Sequence, residues 1–161
     1  SEINKIEQAI DIYDSTYKTK NEALNIVLME KGLICKKNQI ELTCIIDASK
    51  LSFIKDNDIY SLFGNLLDNA IEAVKNLEQS KRVISLQIKN SGEFLIIKTY
   101  NNYNGKINFV NNLPITTKED KDYHGYGLKS INYIVKSYDG QMKIKTNNQV
   151  FDLTILFQTN K

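Results

Sequence analysis

The stretch Asn65-Leu66-Leu67-Asp68-Asn69-Ala70-Ile71-Glu72-Ala73 lies in the middle of a helix predicted over residues 57–76. At about 100° per residue, the apolar side chains of this helix share one face. That face comprises Ile59, Leu62, Phe63, Leu66, Leu67, Ala70, Val74 and Leu77. A second stripe carries Asn65, Asn69, Glu72 and Asn76, spaced so that the four side chains can converge on one object. Asparagine is a mediocre helix former, so this stripe indicates either exposure to solvent or a ligand.

A second signal follows roughly fifty residues later, where Thr116-Thr117-Lys118 precedes Gly125-Tyr126-Gly127-Leu128 at the start of another predicted helix. Glycines let the backbone approach a ligand closely, and the unpaired N–H groups that begin a helix attract anions. A triphosphate fits such a segment, and Lys118 in the preceding loop could close over it. A plain tight turn is the other interpretation. The segment is neither a P-loop nor a dinucleotide-binding glycine motif.

The two segments could bind parts of one ligand, a metal ion and the phosphates that share it. An amide carbonyl on a rigid helix suits Mg²⁺, which takes oxygen ligands and shares its shell with waters and substrate phosphates. The single histidine, His124, directly precedes Gly125. A glycine turn is a poor platform for a catalytic histidine, so we expect His124 to position the loop or touch a phosphate rather than to carry a phosphoryl group.

Composition excludes several other classes of protein. The 161 residues fit one ordinary domain, and the net charge of +2 comes from lysines scattered among nearly as many acids. The charged run at residues 118–122 mixes signs, which favours a solvated loop over a nucleic-acid or membrane contact. Cys35 and Cys44 show neither zinc nor disulfide spacing, so we expect buried thiols in a reducing cytosol. No apolar run approaches the length of a membrane span, and the chain is expected to be a soluble fragment of a longer protein.

Periodicity predicts one α+β domain, with helices on one face of a largely antiparallel sheet. The loop at residues 101–123 shows little periodicity and is rich in polar residues. Helices are predicted at residues 3–17, from an Asn21 cap to 37, at 57–76 and at 125–138, and strands at 40–46, 51–54, 83–89, 94–100, 142–146 and 150–157, with turns at Ser91-Gly92 and Asn147-Asn148.

Together, the asparagine helix and His124-Gly125-Tyr126-Gly127-Leu128 resemble the ATP-binding domain shared by gyrase, Hsp90, MutL and histidine kinases. Within that superfamily they look most like the Agr-type, peptide-pheromone quorum-sensing kinases of Gram-positive bacteria. The resemblance covers about residues 21–161. It implies a two-layer α/β sandwich in which three helices on one face of a mixed sheet, and a lid, enclose ATP.

The resemblance also implies roles for particular residues. Asn69 would bind Mg²⁺, Asn65 would make a neighbouring polar contact, and Lys118 would act from the lid. The backbone around Gly125, Gly127 and Leu128 would hold the phosphates, with His124 and Tyr126 beside it.

This chain departs from the family pattern at three positions. ATP-hydrolysing relatives have a glutamate at the position of Asn65, and an amide is a poor proton acceptor near neutral pH, so transfer is expected rather than hydrolysis. Kinases often have Lys or Arg where this chain has Glu72. The aspartate that accepts a hydrogen bond from adenine is missing, and Asn101, whose carbonyl oxygen can accept the same bond, is the best substitute.

The leading hypothesis is therefore the catalytic domain of a two-component sensor histidine kinase. Residues 1–20 would connect it to a missing dimerisation domain that bears the phosphoacceptor histidine, and residues 21–161 would bind ATP and Mg²⁺. A response regulator would act downstream, and the full-length protein would be a membrane-bound homodimer. A degenerate, nucleotide-dependent interaction module and an anti-sigma-factor serine kinase remain as alternatives.

Overall fold

The computed structural model describes residues 19–105, 108–110, 113–115 and 124–159. Its elements, in chain order, are helix α1 (Glu22–Lys37), strand β1 (Glu41–Ile46), helix α2 (Asp56–Val74), strands β2 (Val83–Ser91), β3 (Phe94–Asn102), β4 (Asn108–Val110) and β5 (Leu113–Ile115), helix α3 (His124–Ser137), and strands β6 (Gln141–Asn147) and β7 (Val150–Gln158). Short 3₁₀ turns occur at Leu51–Phe53 and Gln79–Lys81. The predicted helix at residues 3–17 lies outside the described part of the chain.

Five strands form one mixed sheet in the order β1-β2-β3-β7-β6. Strand β1 runs parallel to β2, and the other neighbours are antiparallel. Alternate residues of β2, β3 and β7 are buried under the three helices, while the intervening positions are more exposed. Fold class is thereby confirmed as α+β, with an open five-stranded sheet covered by three helices.

The core is built from the stripes that the periodicity predicts. Every member of the predicted apolar face of α2 is buried except Leu77, which is partly buried and packs against the core. Helix α1 begins as predicted, because the Asn21 side chain accepts a hydrogen bond from the Leu24 backbone N–H at 2.9 Å. Both cysteines are free, and burial raises the pKa of each to about 12.

Three local predictions were wrong. Leu51–Phe53 forms a 3₁₀ turn rather than part of a strand, and this turn buries both Leu51 and the residue after it, Ile54, because positions three apart share a face in that geometry. The final hairpin turns at Asn148-Gln149, one residue later than predicted, and both residues have left-handed φ angles of 49° and 65°.

The third error concerns the long loop predicted at residues 101–123. Asn101 and Asn102 continue β3, where they pair with Phe151 and Val150 of β7. Strands β4 and β5 then form a separate two-stranded antiparallel sheet. These strands are three residues long, which is too short for a sequence period to reveal.

Candidate functional site

Helices α2 and α3 meet where the two sequence motifs predict a shared ligand. A Cβ atom built on Gly127, in the first turn of α3, would lie 3.8 Å from the side-chain oxygen of Asn65 on α2. The Asn65 Nδ2 atom donates to the Ser61 hydroxyl at 3.3 Å, and the Ser61 and Ser130 hydroxyl oxygens are 3.3 Å apart. A hydrogen-bonded chain therefore joins the asparagine helix to the glycine helix.

The polar stripe of α2 is not simply exposed to water. Asn65, Asn69 and Glu72 are half-buried, and only Asn76, at the end of the stripe, is exposed. Glu72 forms an ion pair with Lys75, so the carboxylate that departs from the family pattern has a lysine ammonium beside it. The stripe thus places two amides and a paired carboxylate along one side of the helix.

Asn101 lies at the carboxyl end of β3, on the face that the helices cover, and its side chain is only 2 % exposed. Its Nδ2 atom donates to the Asn102 carbonyl at 2.9 Å. Its Oδ1 atom is buried and has no hydrogen-bond partner among the described residues. An unpaired buried acceptor costs on the order of 1–3 kcal/mol, so this position suits a ligand that brings a hydrogen-bond donor.

The glycine segment is helical. Helix α3 begins at His124, so Gly125 and Gly127 lie within its first turn rather than in a turn before it. The first four N–H groups of an α-helix have no partner inside the helix, and His124, Gly125, Tyr126 and Gly127 supply them here. Leu128 is buried in the core and anchors this turn. Thr117 and Lys118, predicted to cover the phosphates, lie outside the described residues.

The structure adds a charged pair that the sequence analysis did not identify. Lys31 on α1 is only 12 % exposed and contacts Asp68 Oδ1 at 2.8 Å and Glu30 Oε1 at 3.4 Å. Burial alone would lower the pKa of Lys31, but the hydrogen bond and charge of Asp68, with a contribution from Glu30, outweigh burial and raise that pKa. A cavity of about 300 Å³ between α1 and α2 is lined by both members of the pair and by Asn65.

A signal for this pair was present in the sequence. Lys31 lies on the inward face of α1, among Leu24, Val27, Leu28 and Ile34. A charged residue at a core-facing position implies a partner on the neighbouring element. The partner could not be chosen from the sequence, because the packing of α1 against α2 determines which of its acids faces Lys31.

Solved structures identify the fold of this chain. The catalytic domain of the histidine kinase ThkA superimposes with a TM-score of 0.64 and 16% sequence identity, over 88% of this chain and 93% of that chain. The histidine kinase AdeS from Acinetobacter baumannii superimposes with a TM-score of 0.59 and 13% identity, over 99% of this chain and 78% of AdeS. The fold is that of histidine-kinase catalytic domains.

The sequence pattern of the GHKL domain matches residues 54–158, and the chain belongs to this family. The sensor protein CitS from Bacillus subtilis (strain 168) is 25% identical over 176 residues, which cover 96% of this chain and 32% of CitS. The chain thus spans about a third of the length of this curated relative. Within the described residues, no helix combines the length and apolar character needed to cross a membrane.

Proposed function

We propose that this chain is the ATP-binding catalytic domain of a sensor histidine kinase and that it presents the γ-phosphate of ATP to a histidine on another domain. The observation that carries this proposal is the contact between Asn65 on α2 and Gly127 at the start of α3. It brings a polar helical stripe against the N-terminus of a helix, where the first N–H groups have no partner inside the helix. Amides and backbone N–H groups at one place suit a metal-bound polyphosphate.

The adenine end of the nucleotide is assigned to Asn101. Its Oδ1 atom is buried without a partner among the described residues, and the amino group of adenine is a donor that would satisfy it. A neutral amide replaces the charged carboxylate that the resemblance leads one to expect. We therefore expect binding weaker by about 1 kcal/mol than with a charged acceptor, which is roughly a fivefold difference in affinity.

Mg²⁺ is assigned to Asn69, one helical turn after Asn65. Both side chains are half-buried on the same stripe, and one amide oxygen is enough for an ion that keeps most of its shell as water and phosphate oxygens. When bound, the ion would neutralise charge on the phosphates. The protein's part is to hold Asn69 on a helix whose opposite face is fixed in the core.

Transfer to a protein group is favoured over hydrolysis because Asn65 cannot act as a general base near neutral pH. Its Nδ2 atom donates to Ser61, so the remaining oxygen faces the side of Gly127. Glu72 would oppose a phosphate if it stood alone. Its ion pair with Lys75 offsets that charge and places an ammonium group beside the stripe, which supports nucleotide binding.

Partners follow from this function. The phosphoacceptor histidine would belong to a dimerisation domain that residues 1–20 connect to this one. Lys118 would cover the phosphates, and a response regulator would receive the phosphoryl group. The family resemblance of the two motifs supports a quorum-sensing kinase anchored in the membrane as a homodimer.

The test mixes this domain with Mg-ATP and the separately produced histidine-bearing hairpin of the full-length protein. We expect phosphohistidine on the hairpin, detected by acid-labile and base-stable labelling, and loss of the label when the acceptor histidine is replaced by glutamine. ATP binding without any phosphohistidine would contradict the kinase and favour an interaction module. Acid-stable phosphoserine on a partner would favour the serine-kinase alternative.

A further inference from the structure

Helices α2 and α3 share a line of polar contacts along one edge of their interface. The contact between Asn65 and Gly127 lies at the candidate nucleotide site. One turn earlier on α2 and one turn later on α3, the hydroxyl oxygens of Ser61 and Ser130 are 3.3 Å apart. The two helices therefore run antiparallel where they touch, and the serine pair is the contact next to the site.

The far end of α3 is fixed to the start of α2. The Tyr138 hydroxyl, one residue after α3, donates to Asp58 Oδ2 and accepts from the Lys55 backbone N–H at 3.0 Å. In the middle of α3, Ile131 follows Ser130 and is fully buried in the core. The separation of the two serines is thus set by helix packing and not by their own weak contact.

The two ends of the Asn65 amide differ in chemistry. The nitrogen donates hydrogen bonds, and the oxygen accepts them. Nδ2 donates to the Ser61 hydroxyl at 3.3 Å, which leaves Oδ1 on the side of Gly127. An amide turned end for end occupies nearly the same space, so shape alone does not select this orientation. The selection depends on what the Ser61 hydroxyl offers to the amide.

The Ser61 hydroxyl has one proton and two lone pairs. When the proton points to Ser130 Oγ, Ser61 accepts from Asn65, and the amide nitrogen faces it. When the proton points to Asn65, the amide oxygen faces Ser61 and the nitrogen lies on the side of Gly127. Ser130 Oγ, at 3.3 Å from Ser61 Oγ, is the acceptor that allows the first arrangement.

We propose that Ser61 and Ser130 are positioning residues that keep the Asn65 oxygen on the side of the phosphates, where it accepts a hydrogen bond from a water bound to Mg²⁺. This inference rests on the proposed function. Mg²⁺ usually keeps several waters, which are donors, whereas phosphate oxygens are acceptors. An amide oxygen at this place favours metal-bound ATP over metal-free ATP, and an amide nitrogen removes that preference.

Ser130→Ala removes the acceptor for the Ser61 proton. Calorimetry with Mg²⁺ and with EDTA gives the ratio of the two ATP affinities, and this ratio should fall about fivefold, the worth of one hydrogen bond. Ser130→Thr keeps a hydroxyl and should keep the ratio of the parent chain. Ser137→Ala, at the last residue of α3, is the matched control and should not change it.

The outcomes separate this inference from the proposed function. A parent chain that binds Mg-ATP, with an unchanged ratio in Ser130→Ala, would overturn the role of the serines and leave the nucleotide site in place. A parent chain that bound no ATP would refute the proposed function and this inference with it.

Asn65→Asp shows whether Ser130 acts through Asn65. A carboxylate presents an oxygen in either orientation, so the serines have no orientation to select. Asn65→Asp with Ser130→Ala should therefore give the same ratio as Asn65→Asp alone. A further fall in the double variant would mean that Ser130 acts by another route, which contradicts the proposal.

Nuclear Overhauser measurements on the nucleotide-free, 161-residue chain report the orientation directly. The side-chain amide protons of Asn65, assigned by their loss in Asn65→Asp, should lie near the β protons of Ser61 in the parent chain. In Ser130→Ala they should lie near the α protons of Gly127. Amide protons beside Gly127 in the parent chain, or the same contacts in both chains, would overturn the proposal.

Discussion

A Cβ atom built on Gly127 would lie 3.8 Å from the side-chain oxygen of Asn65, so the start of α3 is a direct neighbour of the asparagine stripe on α2. The two residues are 62 positions apart in the sequence. Their contact depends on the packing of α3 against α2, where Leu128, Ile131 and Ile134 are buried. It joins two motifs that, taken separately, each have an ordinary structural interpretation.

Replacing Gly127 by alanine should stabilise the fold and weaken nucleotide binding. The distance of 3.8 Å is an ordinary contact, so the methyl group fits, and alanine should raise the free energy of unfolding by about 0.5–1 kcal/mol through its helix propensity. The same methyl group would occupy the space by which a phosphate approaches the backbone. Mg-ATP affinity measured by calorimetry should therefore fall, by roughly tenfold for an imperfect fit costing about 1.4 kcal/mol.

Gly64→Ala on α2 is the matched control, because its Cβ would also meet no clash. It should gain similar stability while nucleotide affinity is retained. Unchanged affinity in the Gly127 variant would exclude close backbone approach at this glycine.

Asn69→Ala should remove the magnesium dependence of nucleotide binding. The other amides of the stripe keep their positions on α2, but the oxygen assigned to the metal is lost. Titration of ATP with and without Mg²⁺ should then give nearly equal affinities. Asn76→Ala, at the exposed end of the same stripe, should behave like the parent chain. If the Asn69 variant retained the full effect of Mg²⁺, another residue would have to be the ligand.

Asn101→Leu should abolish discrimination at the adenine amino group. The parent chain should prefer ATP over purine riboside triphosphate, which lacks that group, by about five- to tenfold, the worth of one hydrogen bond. The variant should bind both nucleotides alike. Asn90→Leu is the control, since Asn90 also has a buried Oδ1 atom without a partner among the described residues but lies at the opposite end of β2. If Asn101→Leu still preferred ATP over purine riboside triphosphate as strongly as Asn90→Leu does, adenine would have to bind elsewhere.

The Lys31–Asp68 pair should contribute stability that depends on pH in a defined direction. The pKa of Lys31 is raised above its ordinary value of 10.5, so the folded state binds this proton more tightly than the unfolded state does. The contribution is therefore complete below pH 10.5 and declines as pH rises through the folded-state pKa. Lys31→Met should cost about 1 kcal/mol at pH 8, because the pair is only partly shielded from solvent.

Denaturant unfolding at pH 8 and pH 11 measures this effect. The difference in unfolding free energy between the parent chain and Lys31→Met should shrink at the higher pH. Lys143→Met, at an exposed position of β6, supplies the correction for general effects of alkaline pH. A difference that grew with pH would contradict the assigned sign.

Much of the fold was predictable because it depends on short-range patterns. The apolar stripe of α2, the Asn21 cap and the β2–β3 hairpin each follow from residues within a few positions of one another. Prediction failed where pairing with a strand distant in the sequence decided the local structure. Asn101 and Asn102 became part of β3 because β7 offered a partner, and polar composition alone had indicated a loop.

The candidate site was likewise predictable in its local features but not in its long-range contacts. The sequence by itself determined the residue types and the face on which each one stands, since helical and strand periods follow from backbone geometry. Only the tertiary structure decided that Asn65 meets Gly127, that Lys31 pairs with Asp68, and that the Asn101 oxygen is left buried without a partner among the described residues. Those relationships join residues 37 to 62 positions apart or depend on burial, and both are set by how the helices pack on the sheet rather than by any local pattern.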